Sequence, residues 1–211
     1  MKRYAHLGVI YDVISLEVFL YRRPRKRLCE IVGPMPGATV VDVGCGTGLN
    51  LSWLHQAVSP GGRVIGLDSS PSMLAAAQRR ISRHGWSGVD VIRGEISRLD
   101  DVLAAADIAP DAFVATFVLS LLDDVASFWA AVEGAATTRP IQIALADLGV
   151  ATEGPRVVRV VLAALAALGG GRRSRRPWQR LATLDPDMIH ESLLLGHVHL
   201  AAGSVRGVTQ P

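Results

Sequence analysis

The sequence predicts an α/β fold: a doubly wound, mostly parallel, seven-stranded sheet with helices on both faces and a final antiparallel strand. Two observations predict it. Short β-rich runs alternate with longer helical patterns five times by about residue 146, which is typical of stacked βαβ units with right-handed crossovers. Two further strand-like runs, at 188–195 and 198–202, are so close in the chain that they can only pair antiparallel.

Each predicted strand is a short, mainly apolar run. The first, 39–43, is almost entirely apolar and leads directly into glycines, as expected for a strand buried on both faces of a sheet. The other parallel strands are expected at 63–67, 89–93, 112–117 and 141–146.

The predicted helices carry apolar residues along one side. Leu51, Leu54 and Val58, for example, follow the i, i+3, i+7 spacing of an amphipathic helix. Pro71 suits a first helical turn, and Ser70 before it suits the N-cap. Helices are expected at 16–32, 50–58, 71–84, 97–106, 125–132 and 156–168, with a short one from 177.

The composition is that of one folded domain. The chain has 211 residues, of which 49% are hydrophobic and 19% charged, so a sizeable core is available and disorder is not expected. We expect no signal peptide, and no apolar stretch reaches the ~18 residues of a membrane span. The two cysteines, Cys29 and Cys45, make neither a disulfide framework nor a metal site, so a reducing cytoplasm is the expected setting.

The net charge is +3, and the excess lies in two clusters of basic residues. Our first interpretation is a solvated helix face and a solvated loop, and the alternative is attraction to an anionic partner such as a lipid surface. Nucleic acid is disfavoured because no aromatic residues are interleaved with the basic ones. The clusters are Arg22, Arg23, Arg25, Lys26 and Arg27, and then Arg172, Arg173, Arg175 and Arg176.

The segment 40–48, VVDVGCGTG, joins a buried strand to a helix through three alternating glycines. Glycines allow positive φ and remove Cβ atoms, so the backbone can approach a nucleotide-like ligand closely. A dinucleotide fingerprint needs a glycine where this chain has Leu49, and a P-loop needs a lysine that does not follow here. Asp42 would repel a pyrophosphate but attract the cationic ammonium and sulfonium of S-adenosylmethionine (SAM).

Polar residues end the next strands. Asp68, 20 residues beyond Gly48, can accept hydrogen bonds from ribose hydroxyls, although a helix N-cap or a solvated acid would give the same pattern. Met73 could pack against adenine or in the core. Glu95 could meet the adenine amino group, with Ile96 as an apolar wall, or it could cap the next helix.

The fourth strand ends in Thr116 and Phe117, beside the first strand. Open α/β sheets bind ligands at this switch point, so we expect both residues to line the methyl-transfer pocket. His197 and His199 are expected on one face of the last strand, a pattern that could serve a metal or a base. Because no third ligand is apparent, we prefer a structural role, predict no metal site and assign no catalytic base.

These motifs resemble those of the class I, seven-stranded SAM-dependent methyltransferases. The resemblance covers roughly residues 11–202 and rests on 41–48 and 66–74. It points to the small bacterial branch of phospholipid and betaine-lipid N-methyltransferases and quinone C-methyltransferases. It implies one methyltransferase domain with an N-terminal helical cap at 1–36, a SAM-binding core at 37–150, a helical insertion or lid at 151–187 and a strand pair at 188–203.

The resemblance also implies residue roles. Asp42, Gly44 and Gly46 would hold the methionine moiety, Asp68 the ribose, and aromatic residues of the cap would close over SAM. The expected cofactor-binding residues are Tyr11, Tyr21, Asp42, Gly44, Cys45, Gly46, Asn50, Asp68, Ser69, Met73, Gly94, Glu95, Ile96, Thr116 and Phe117. Many relatives have aspartate in place of Glu95.

The function expected from these observations is methyl transfer from SAM, leaving S-adenosylhomocysteine (SAH), to a small-molecule or lipid acceptor, an amine being one option. Alternatives are a non-catalytic SAM-binding or scaffold protein of the same fold and, with less support, an NAD-dependent oxidoreductase. We interpret 156–176 as a core-packed helix followed by a basic loop, with a substrate lid or a membrane-surface helix as alternatives.

Overall fold

A computed structural model describes residues 21–33, 35–168 and 176–207. Its centre is a seven-stranded sheet with the strand order β3-β2-β1-β4-β5-β7-β6. The first five strands are parallel, and β7 pairs antiparallel with both β5 and β6. The predicted fold class is confirmed. The strands are β1 Thr39–Val43, β2 Arg63–Asp68, β3 Val89–Arg93, β4 Ala112–Thr116, β5 Ile141–Leu148, β6 Ile189–Leu193 and β7 Val198–Val205.

Seven α-helices connect or flank these strands in the described part of the chain. Most begin and end within two residues of their predicted bounds. The first is described from residue 22, and the helix expected at 97–106 begins with a 3₁₀ turn, Ile96–Arg98. The helices are α1 Arg22–Val32, α2 Leu51–Val58, α3 Pro71–His84, α4 Leu99–Ala105, α5 Ala126–Ala135, α6 Arg156–Leu168 and α7 Pro177–Leu184.

Both faces of the sheet are buried, because successive side chains of a strand point in opposite directions. On β4, Phe113 and Ala115 pack towards α4, α5 and α7, whereas Ala112 and Val114 pack towards α1, α2 and α3. The nearly continuous apolar runs of the parallel strands are explained by this double burial.

Two details of the sequence prediction need correction. Ser70 stands at the N-cap position of α3 but makes no capping hydrogen bond with its side chain, since its hydroxyl pairs with that of Ser72 at 3.1 Å. The last strand runs to Val205, three residues beyond the predicted end, because it pairs with the whole of β5, from Ile141 opposite Val205 to Leu148 opposite Val198.

The prediction that His197 and His199 share a face is wrong. His197 lies in the turn before β7, is fully buried, and contacts Tyr21 on the α1 side. His199 lies in β7 and stacks on Trp178 of α7 with ring centroids 4.1 Å apart. The turn holds Leu194 and Leu195 at positive φ, so strand alternation begins only after it. Within the described residues, no group of three potential ligands could hold a metal ion.

The interpretation of α6 as a core-packed helix is also wrong for the part of the helix whose side chains are described. In its described side chains, Arg156 to Ala164, only Leu162 is buried, and four valines are exposed. Its apolar residues predicted a helix buried in the core, but these four valines are exposed to solvent. No helix in the described ranges is both long enough and apolar enough to cross a membrane.

Candidate cofactor site

The candidate site lies where the carboxyl ends of β1, β2 and β4 meet. The strand order places β1 between β2 and β4, so the chain leaves β1 for one side of the sheet and later returns to the other. Such a switch point opens a crevice above the strand ends. Asp42, Asp68 and Thr116 each lie in the last two residues of one of these strands.

The glycine loop after β1 has positive φ at all three glycines, but they serve different purposes. A Cβ on Gly44 would lie 2.5 Å from Val118 Cγ2, and one on Gly48 would lie 2.6 Å from Leu51 Cδ1. Those two positions are therefore packed against the protein itself. A Cβ on Gly46 would meet no atom within 4 Å, so Gly46 leaves its stretch of backbone bare towards the crevice.

Asp42 is fully buried next to this loop, facing α1 and α2. Its Oδ1 accepts a hydrogen bond from Asn50 Nδ2 at 2.9 Å, while Oδ2 has no hydrogen-bond partner among the described residues. Burial raises the pKa of Asp42 to about 7, against the opposing effects of Asn50 and the Arg25 guanidinium. An unpartnered buried acceptor is rare, and a bound cation would complete this one.

Asn50 and Thr116 extend Asp42 into a chain of polar side chains across three elements. Asn50 Nδ2 also donates to Thr116 Oγ1 at 3.0 Å. From α1, Arg25 Nη1 donates to Asn50 Oδ1 at 3.3 Å and to Thr116 Oγ1. The Arg25 guanidinium carbon lies 4.9 Å from the centre of the Phe117 ring.

Arg25 is therefore a site residue that sequence reasoning missed by placing it on a solvated helix face. The sequence did contain a signal for this position: Tyr21, Arg25 and Cys29 follow one another at i, i+4 intervals, so they lie on one side of the helix. In the structure Tyr21 and Cys29 are buried, and Arg25 faces inward with them. The other basic residues of α1 are exposed, and Lys26 and Arg27 pair with Glu30 at the helix surface.

Asp68 ties the glycine loop to the end of β2. Its Oδ2 accepts a hydrogen bond from Gly46 N at 3.0 Å, and its Oδ1 accepts one from Ser70 N at 2.8 Å. Burial raises the pKa of Asp68, and these backbone donors oppose the shift. Each carboxylate oxygen has two lone pairs, so the carboxylate can accept further bonds. The ribose contact stays a prediction.

The residues expected around adenine differ in their burial. Ser69 is half-buried, Met73 is buried at the start of α3, and Ile96 is buried in the core. Glu95 is exposed and makes no side-chain capping bond to the following 3₁₀ turn, so the capping alternative is not observed. A Cβ on Gly94 would lie 2.8 Å from Val102. Their contacts with adenine stay predictions.

Tyr21 and Phe117 form an aromatic wall beside the polar chain. Their ring centroids are 4.9 Å apart, and the Tyr21 hydroxyl lies 3.2 Å from His197 Nε2. Phe117 has φ 57°, a left-handed conformation that costs a non-glycine residue roughly 1–2 kcal/mol, and its N–H donates to Ala146 O at 2.7 Å. Tyr11 lies outside the described residues.

Cys45 has its side chain turned away from the crevice. A Cβ on Gly66 of β2 would lie 2.9 Å from Cys45 Sγ, and Cys45 N donates to Leu67 O at 2.9 Å. Burial raises the pKa of the Cys45 thiol well above its usual value, so the group is a neutral thiol. Its side chain packs the loop against β2.

Comparison with known families matches residues 40–136 to a family described as a methyltransferase domain. Nocamycin O-methyltransferase of Saccharothrix syringae is 37% identical over 89 residues, which cover 42% of this chain and 31% of that protein. Demethylmenaquinone methyltransferase of Bacillus cytotoxicus is 34% identical over 91 residues, covering 42% of this chain and 38% of that protein. The matched segment thus spans about a third of the length of these two relatives.

Solved structures of similar fold superpose on nearly the whole chain. A SAM-dependent methyltransferase from Aquifex aeolicus superposes with a TM-score of 0.61 at 18% identity, covering 93% of this chain and 95% of that one. Phosphoethanolamine N-methyltransferase 2 of Haemonchus contortus, solved with SAM, gives 0.65 at 12% identity, covering 93% of this chain and 56% of that one. At these identities the likeness concerns the fold.

The matches support SAM as the predicted cofactor, but they do not single out the lipid and quinone branch. Their names include O-methyltransferases, an N-methyltransferase and a carbon methyltransferase. The chain has the fold of the SAM-dependent methyltransferases, and its residues 40–136 match a methyltransferase domain.

Proposed function

We propose that this chain is a SAM-dependent methyltransferase that acts on a small-molecule or lipid acceptor. The observation that carries the proposal is the fully buried Asp42 carboxylate, with one oxygen unpartnered beside the bare backbone of Gly46. A cationic adenosine derivative without phosphate suits both features. We also retain the proposed division of the chain into a helical cap at 1–36, a SAM-binding core at 37–150, a helical insertion or lid at 151–187 and a strand pair at 188–203.

The charge pattern opposes a pyrophosphate cofactor. A carboxylate at the glycine loop repels phosphate oxygens, whereas the α-ammonium of a methionine moiety would give Asp42 Oδ2 its missing partner. Asp68, held by two backbone N–H groups at the end of β2, is placed to accept ribose hydroxyls. NAD is disfavoured on the same grounds.

When bound, SAM supplies an activated methyl group on a sulfonium. The work left to this chain is positional: to align the acceptor with that methyl at near-attack distance and to exclude water. Thr116 and Phe117 lie at the end of β4, beside the expected position of the methyl group. The Phe117 N–H donates to Ala146 O, which holds this residue against β5. We assign no catalytic base: a neutral amine or a thiolate needs none, whereas a hydroxyl or a carbon acid would need one.

The acceptor atom stays open within this proposal. An amine is one option, but the Phe117 face is covered by the Arg25 guanidinium, and cation–π recognition of a quaternary amine needs exposed aromatic faces. The names of the relatives include methylation at oxygen, nitrogen and carbon, so the domain itself does not select the atom.

We further propose that α6 contacts an anionic membrane surface. Val157, Val160 and Val161 are 75%, 59% and 52% exposed and lie on one side of the helix at i, i+3, i+4 spacing. Arg156 and Arg159 are exposed on the same helix, so apolar and basic groups occur together, as in interfacial helices that bind anionic lipids. Val150 and Leu195, which follow β5 and β6, are further exposed apolar residues.

A thermal-shift panel of SAM, SAH and NAD tests the cofactor. We expect SAM and SAH to raise the melting temperature and NAD to leave it unchanged, because only the first two carry an α-ammonium group and no phosphate. Stabilisation by NAD alone would overturn the methyltransferase proposal. Binding of SAM with no methyl transfer to any acceptor in a broad panel would instead favour the non-catalytic alternative.

Asp42 makes cofactor affinity depend on pH. Its pKa of about 7 means that a cationic ammonium must bind the ionised carboxylate, so SAH affinity should rise as the pH increases through 7 and then level off. Titration calorimetry at several pH values measures this. The rise should vanish in Asp42→Asn and for 5′-methylthioadenosine, which lacks the amino acid. A rise that persists in the variant would exclude Asp42 as its source.

Asp68→Ala should weaken SAH binding by about 10-fold or more, because hydrogen bonds from the ribose to a charged acceptor are lost. Asp90→Ala is the matched control, since Asp90 is an exposed acid on the neighbouring strand β3 whose partner is Arg63. Calorimetry gives the affinities and a ligand-free melting curve checks folding. Equal affinities for the two folded variants would show that Asp68 does not hold the ribose.

Vesicle flotation tests α6. The protein should float with vesicles containing phosphatidylglycerol and remain unbound with pure phosphatidylcholine, and Val157→Ser with Val161→Ser should reduce flotation about 10-fold. Ile189→Ser, which changes an exposed apolar residue on β6, serves as the control. If the wild type does not float, or if the double substitution instead dissociates a dimer, the face is not a membrane contact.

A further inference from the structure

The position of Arg25 is unusual for a basic residue of an amphipathic helix. Its neighbours Lys26 and Arg27 point to solvent, whereas the Arg25 guanidinium reaches inward to Asn50, Thr116 and the Phe117 ring. The helix is held by Leu28, which is fully buried, and it packs across β5 and β7. The guanidinium is therefore carried into the crevice on a rigid element.

The crevice consequently contains two opposite charges that are joined by a single side chain. Asn50 donates to Asp42 Oδ1 from its Nδ2 and accepts from Arg25 Nη1 at its Oδ1. When Asp42 is ionised, two opposite charges bound to one amide suit a ligand that itself carries an anion and a cation a few ångströms apart. An α-amino acid moiety does so, since its ammonium and carboxylate share one carbon atom.

We propose that Arg25 binds the carboxylate of the cofactor's methionine moiety, so that Asp42 and Arg25 together recognise the amino acid as a zwitterion. This inference rests on the proposed function, because it names the residue that binds the carboxylate of SAM. A guanidinium presents five N–H donors in a planar fork that matches a carboxylate. The guanidinium lies over the Phe117 ring, with its carbon 4.9 Å from the ring centre, and is thereby held in the crevice.

Two other roles for Arg25 make different predictions. A purely structural arginine that neutralises Asp42 would affect every ligand of the crevice to a similar extent. An arginine that recognises an acidic acceptor would leave the cofactor's affinity unchanged and alter only the acceptor's KM. The carboxylate role alone predicts that the loss of affinity depends on whether the cofactor analogue has a carboxylate.

The experiment is calorimetry at pH 8, where Asp42 is ionised, with three ligands: SAH, 5′-methylthioadenosine, which lacks the amino acid, and decarboxylated SAM, which keeps the ammonium but lacks the carboxylate. Arg25→Met should weaken SAH binding by about 10- to 100-fold, as expected for loss of a charge-assisted pair. The affinity for the other two ligands should change far less. Lys26→Met, one residue along the same helix and exposed, should leave all three affinities unchanged.

The conservative variant Arg25→Lys separates charge from packing. It should recover part of the SAH affinity, because the ammonium keeps the charge but not the fork. Ligand-free melting curves identify any variant that fails to fold. If Arg25→Met does not fold, Arg25→Lys is compared with the wild type for the same three ligands instead. Equal losses for all three ligands, or no loss for SAH, would overturn the role of Arg25. Failure of all three ligands to bind the wild type would instead reject the proposed function itself.

Discussion

The burial of one carboxylate organises the crevice. Asp42 lies on the face of β1 that is covered by α1 and α2, where an unpaired charge would be costly. Asn50 donates one hydrogen bond to Asp42, and the same amide donates to Thr116. Arg25 of α1 in turn donates to Asn50. Elements that are distant in sequence are thereby held in one arrangement by the need to accommodate a single buried acid.

The arrangement is possible because β1 lies inside the sheet, between β2 and β4. Parallel neighbours on both sides place the ends of β2 and β4 next to the glycine loop, and the chain reversal at β1 keeps connecting segments away from the crevice. Asp68 uses its position to bind the loop backbone, which fixes the loop without filling it. The bare backbone at Gly46 and the charged side chains around it are consequences of one topology.

The same edge of the sheet carries the exposed apolar surface. The loop after β5 rests on the turn between β6 and β7, with Thr152 N donating to Leu195 O at 3.1 Å, and α6 begins directly beyond it. His197 in that turn contacts Tyr21, which stacks beside Phe117. These contacts connect the loop that precedes α6 to the aromatic wall of the crevice through the turn between β6 and β7.

The local sequence pattern was sufficient to predict the strands, the glycine loop and the positions of Asp42 and Asp68 at strand ends. These features depend on spacing along a few residues: apolar runs in parallel strands, positive φ in a glycine turn, and an acid at a strand end. Contacts between distant segments decided the rest. Arg25 enters the crevice because of how α1 crosses the sheet, His197 and His199 separate because a tight turn intervenes, and the valines of α6 are exposed because nothing described packs on them. Spacing gives the face on which a residue lies, but only the packed fold determines what that face meets.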